Sequence, residues 1–83
     1  MITKEQARMG RCGARLTVRD LAAKTGLTAN TVTRFEIGKN ATMATVNLIQ
    51  RALEDAGVEF LPETDTHGPG VRLKKKGGKD GAV

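Results

Sequence analysis

Large aromatic residues are almost missing from this chain, which has no Trp, no Tyr and only two Phe among 83 residues. Its core must therefore be built from aliphatic side chains and Ala. Val, Ile, Leu and Phe together number 18, just above the level at which a chain of this kind tends to stay unfolded. One small domain of marginal stability is the consequence. Cysteine is as scarce. A lone Cys12 excludes an internal disulfide and fits a reducing, cytoplasmic setting, and its place in a helix reads as a small core residue. No apolar run approaches the roughly 18 residues of a membrane span. The opening Met-Ile-Thr-Lys-Glu-Gln does not read as a signal peptide. The chain also lacks a nucleophile-base pair, a Gly-rich phosphate loop ahead of a helix, and paired catalytic carboxylates, so no enzyme activity is expected. His67 has no second His, Cys or acid cluster at ligand spacing, so no metal or cofactor is expected.

Positive charge, by contrast, is plentiful. The formal net charge is +5, which points to an acidic partner, either nucleic acid or an anionic membrane surface. The charge is unevenly spread. Residues 1–39 carry a net +5, residues 40–71 a net −4, and residues 72–83 a net +4. A basic half, an acidic segment and a basic tail need separate explanations.

Threonines punctuate the chain. Thr3-Lys4-Glu5-Gln6 spells a capping box and predicts a helix over about 4–14. Gly10 and Gly13 within it are either a tolerated weakness, each costing about 1 kcal/mol against Ala, or a narrow face for a second helix. Thr17 caps a helix that runs to about Thr25 and stops at Gly26. Thr28 caps the next, which runs to about Ile37. Thr42 opens a longer helix, about 43–56, with Val46, Ile49, Leu53 and Ala56 on one stripe. Beyond Gly57 the pattern changes to short alternating runs, Val58-Glu59-Phe60-Leu61 and Gly70-Val71-Arg72-Leu73. These predict an antiparallel hairpin in which Val58 faces Leu73, Phe60 faces Val71 and Glu59 faces Arg72. Such a hairpin needs either helix 4 or a second copy to cover it, which makes Val58, Phe60, Val71 and Leu73 a candidate dimer element. Residues 74–83, rich in Lys and Gly, read as a disordered tail. Lys74-Lys75-Lys76 is either solubilising or a flexible arm on a phosphate backbone.

The most specific stretch is Val18–Gly38. Ala22, Gly26 and Val32 stand where two short crossing helices need a small residue, a left-handed turn and a plug. Together they read as a helix-turn-helix unit. Here the chain resembles the phage-repressor and Cro-like (XRE-type) helix-turn-helix family. The resemblance rests on Leu16-Thr17, Asp20-Leu21-Ala22, Gly26-Leu27-Thr28, Thr31-Val32 and Phe35-Glu36-Ile37-Gly38, with Gln6, Arg8 and Arg11 upstream. It covers residues 3–57 best, and the ending 56–73 is similar to that of a subgroup of small bacterial members.

The resemblance implies an all-α, compact, lambda-repressor-like domain of four to five helices over residues 1–57. It implies a transcriptional regulator that binds double-stranded DNA as a homodimer in the cytoplasm of a bacterium, or encoded by a phage. The third helix, about 29–37, would read the major groove with Ala29, Asn30, Thr33 and Arg34. Asn30 suits adenine and Arg34 suits guanine, while Ala29, where relatives often place a long amide, offers only a methyl. Phosphate contacts would come from Thr17, Arg19, Thr28, Thr31, Lys39 and Asn40. Val18 departs from the Gln common in the family. Arg11 and Glu36 match a family pair that ties helix 1 to the end of helix 3. Glu54-Asp55 has no binding role and would keep its end of the domain away from a polyanion. The departures at Ala29 and Val18 sustain a second expectation: a protein-interaction module, antitoxin-like or a co-regulator, with weak or no DNA binding.

Overall fold

Each helix opens on a threonine hydroxyl. In a computed structural model that describes residues 1–75, α1 (Lys4–Gly13), α2 (Val18–Thr25), α3 (Ala29–Glu36) and α4 (Met43–Asp55) are capped by Thr3, Thr17, Thr28 and Thr42. Each cap hydroxyl accepts from the amide three residues on, at 3.0 Å for Gln6 and Asp20 and 3.1 Å for Thr31 and Thr45. This satisfies one of the amides that a helix start leaves orphaned. The residue before a cap also packs inward near the fourth helical residue, as with Ile2 and Ala7, Leu16 and Leu21, and Leu27 and Val32. Polar cap and apolar staple together set how the chain enters each helix.

The helix ends fall slightly short of the sequence expectation. α3 stops at Glu36, and Ile37 is a cap residue that is 57% exposed. α4 stops at Asp55, and Ala56 is an exposed cap rather than the last member of the buried stripe. Gly26 takes φ +77° between α2 and α3, a conformation in which a Cβ would be strained. Thr25 braces the same turn, donating to Leu21 O at 2.9 Å and accepting from Leu27 N at 3.3 Å. α1 ends differently, because the left-handed residue after it is Arg15, with φ +62°.

The core joins Leu21, Val32, Ile49 and Leu53, all fully buried, with Ala7, Ala22, Phe35, Val46 and Ile2. Cys12 does not join it, contrary to expectation, and is exposed. The inward stripe of α1 is Gln6, Ala7 and Gly10, and a residue two beyond Gly10 is rotated about 200° away from it.

The strands β1 (Val58–Leu61) and β2 (Gly70–Leu73) pair antiparallel as Val58 with Leu73, Glu59 with Arg72, Phe60 with Val71 and Leu61 with Gly70. This is the register drawn from the alternation. The support of the hairpin differs from the expectation, since most of it comes from α1, with α4 a lesser neighbour. The α1 glycines make the room. A Cβ on Gly10 would stand 3.0 Å from Val58 Cγ1 and 3.6 Å from Phe60 Cε1, and one on Gly13 would stand 3.4 Å from Leu73 Cδ2. The narrow face of α1 therefore receives the strand pair, together with Leu53 of α4, whose Cδ1 would stand 3.6 Å from a Cβ on Gly10. Gln6 locks it from below. Its Nε2 donates to Leu61 O and Gly70 O, each at 3.0 Å, while its Oε1 accepts from Thr3 N at 2.9 Å. One buried carboxamide thus closes the α1 capping box and pins the far end of the hairpin. Residues 1–57 and the hairpin share one core through Val58. The expected tail falls mostly on residues 76–83, outside the described residues, although Lys74 N still donates to Gly57 O at 2.8 Å.

Candidate nucleic-acid interface

The outer face of α3 is set by what its inner face buries. Val32, Phe35 and Glu36 point inward, so Asn30, Thr33 and Arg34 are left exposed at helical spacing on the opposite side. Ala29 departs from the expectation. It is half-buried and packs against the core, because the first helical residue lies over the α2–α3 turn. Its methyl is only partly available to a ligand.

A recess of about 200 Å³ brings together three of the sequence-derived candidates, Arg34, Thr31 and Asn40, with Ala41, Thr42 and Thr45. Lys39 sits beside it, exposed, its amide donating to Arg34 O at 2.8 Å. The Thr28 hydroxyl is engaged twice, by the Thr31 amide at 3.1 Å and the Thr31 hydroxyl at 2.9 Å. Thr17 and Arg19 are at a separate place, the exposed start of α2. There Asp20 closes a reciprocal cap, its Oδ2 accepting from Thr17 N at 2.9 Å. These hydrogen bonds from Thr17 hold the Asp20 carboxyl below its ordinary pKa, so a negative charge sits in the first turn. An anion approaching Thr17 meets that charge, which Lys24, one turn on, partly offsets.

Arg11 fastens α1 to α3. Its Nε and Nη2 donate to the two oxygens of Glu36 at 2.7 and 2.9 Å, and its Nη1 donates to Leu16 O at 3.1 Å. The Arg11 and Glu36 side chains are 16% and 5% exposed. The hydrogen bond to Glu36, which outweighs partial burial, raises the Arg11 pKa above its ordinary value. A fork of this kind is rigid, and with both partners mostly out of water it fixes the end of α3 against α1.

Two contacts were not read from the sequence. Arg8 Nη1 reaches Glu36 O at 3.4 Å. The Lys4 side chain lies over Gly38, where an added Cβ would stand 2.8 Å from Nζ. The signal was present as Lys4, Arg8 and Arg11 at i, i+4 and i+7, a basic stripe on one face of α1. Among the described residues the only ion pairs are Arg11–Glu36 and Arg72–Glu59. Lys4, Arg8, Arg15, Arg19, Lys24, Arg34 and Lys39 therefore carry charge that no carboxylate of the described residues matches at close range.

No group of three or more metal-ligating side chains occurs among the described residues, and no helix there is long and apolar enough to cross a membrane. The chain matches no protein-family model, and no curated protein matches it.

Proposed function

We propose that this protein is a sequence-specific regulator of transcription that binds double-stranded DNA through a lambda-repressor-like helix-turn-helix. α3 is its recognition helix in the major groove. The observation that carries this reading is the α2–α3 pair. Its turn is left-handed at Gly26, Leu21 and Val32 are fully buried, and the exposed face of α3 holds Asn30, Thr33 and Arg34 with no acid among the described residues paired to Arg34. Such a face offers hydrogen-bond donors to base edges, and the unmatched cations around it favour a polyanion. Asn30 and Arg34 read bases, and Thr33 borders them. Lys39, Asn40 and Thr31 contact phosphate, with Arg19 and Thr17 at a weaker outer position.

One module of this size reads few base pairs, so the protein acts as a homodimer on two half-sites. The apolar residues of the hairpin, Val58, Phe60 and Val71, cover α1 within one chain, and Leu73 remains half exposed. A second copy would therefore meet the open strand edges and Leu73.

Selection of bound sites from random DNA tests this reading. The expected result is an inverted repeat whose half-sites lie about 10 bp apart or a multiple of that. In such a site Arg34→Ala costs about 1–3 kcal/mol and relaxes the preference at one base pair. Absence of salt-dependent binding to any duplex overturns the reading and favours a protein-interaction module.

A further inference from the structure

We propose that Lys4 and Arg8 of α1 extend the phosphate contact assigned to Lys39 into a cluster at the C-terminal end of α3, outside the recognition face. This inference rests on the DNA-binding reading and extends its footprint to a helix that the reading leaves out. Lys4 and Arg8 stand one turn apart, and both side chains run to the last turn of α3. Lys4 lies across Gly38 and Arg8 reaches Glu36 O at 3.4 Å. Lys39 follows Gly38 directly and is exposed. Both carboxylate oxygens of Glu36 are already taken by Arg11, and Glu5, the acid next to Lys4, forms an ion pair with neither Lys4 nor Arg8.

Charge arithmetic separates binding from simple helix capping. A helix C-terminus carries about half a negative charge. Three cations gathered there exceed what the helix end can use, and the excess faces solvent. They occupy an open surface and not an enclosed cradle, since Arg8 and Lys39 are exposed and Lys4 is half-buried. Cations so arranged suit the extended backbone of a duplex, whose phosphates recur along a rail, better than one small anion. The cluster is also at one end of the helix that carries Asn30, Thr33 and Arg34, so a backbone flanking the groove that α3 enters runs past it.

The test is the salt dependence of binding for wild type and Lys4→Gln/Arg8→Gln, on a selected site and on a mixed-sequence duplex, between about 50 and 200 mM salt. The double variant should weaken binding to both duplexes by a similar factor. Its log–log salt slope should fall by about 2, with the ratio of selected to mixed affinity unchanged. Lys4→Arg/Arg8→Lys should restore the slope. If the double variant melts early, the single variants Lys4→Gln and Arg8→Gln read the same cluster, each with a slope reduced by about 1. An unchanged slope in these variants, while Arg34→Ala still weakens binding, overturns this proposal and leaves the DNA-binding reading standing. A wild-type protein that shows no salt-dependent duplex binding overturns both.

Discussion

The first 39 residues and the 32 that follow use their charges in opposite ways. In the first region two of the three acids are engaged in folding, Asp20 closing a helix cap and Glu36 forked by Arg11, while Glu5 stands exposed and most of the cations have no acid partner among the described residues. In the second the sign reverses, and Glu54, Asp55, Glu63 and Asp65 have no ion-pair partner among the described residues, whereas Glu59 takes Arg72. Exposed ion pairs add little to stability, so a small protein loses little by keeping its charges apart. What results is a basic stretch over residues 1–39 and an acidic one over residues 40–71. The contrast teaches that the net +5 is the remainder of two opposed regions plus a basic end.

The two ion pairs give the sharpest way to break that comparison. Arg11→Met leaves Glu36 buried without its partner and should cost about 2–3 kcal/mol, somewhat less than for a fully buried pair, because Arg11 keeps some water contact. Arg72→Met breaks a pair whose side chains are 65% and 43% exposed and should leave the urea midpoint almost unmoved. Equal midpoints for Arg11→Met and Arg8→Met would show that the fork does not hold the fold.

Next in size is the α1–hairpin seam. Gly10→Leu forces a side chain into Val58 and Leu53 and should destabilise by about 1–3 kcal/mol. Gly13→Ala meets Leu73 at ordinary contact distance and should raise the thermal midpoint by gaining up to about 1 kcal/mol of helix propensity. A hairpin that did not rest on α1 would make the two variants alike.

Arg15 comes third. A left-handed arginine carries a steric cost of about 1 kcal/mol, so Arg15→Gly should recover part of it in thermal unfolding. The smallest effect is acid sensitivity. Asp20 is held below the ordinary carboxylate pKa by its hydrogen bonds from Thr17, and Glu59 by its hydrogen bond from Arg72. A depressed folded-state pKa contributes stability that is present above the unfolded value and is lost as pH falls through the folded one. The thermal midpoint should therefore drop below about pH 4, and Asp20→Asn should flatten that drop. A midpoint that rises in acid would contradict both assignments.

Much of the local architecture was legible because it is encoded locally. Four threonines, each three residues ahead of an amide they cap, announce four helices. A two-residue alternation with opposite charges at Glu59 and Arg72 fixes the hairpin register within a few positions. Cys12 was misread because its burial depends on the angular phase of α1, which two glycines obscure. Ala29 was misread because its exposure depends on how closely the α2–α3 turn approaches it. Gln6 was visible only as a cap partner. Its two bonds to the hairpin join residues 55 and 64 positions apart, and no local pattern records them.

The sequence by itself determined the helix starts, the Gly26 turn, the strand pairing and the division of charge, since each depends on neighbours a few residues away. Tertiary structure alone decided that the hairpin lies on α1. It also decided that Lys4 and Arg8 reach the end of α3. Those outcomes require side chains far apart in the chain to meet at angstrom distances, and that is set by how the helices pack and not by any one segment.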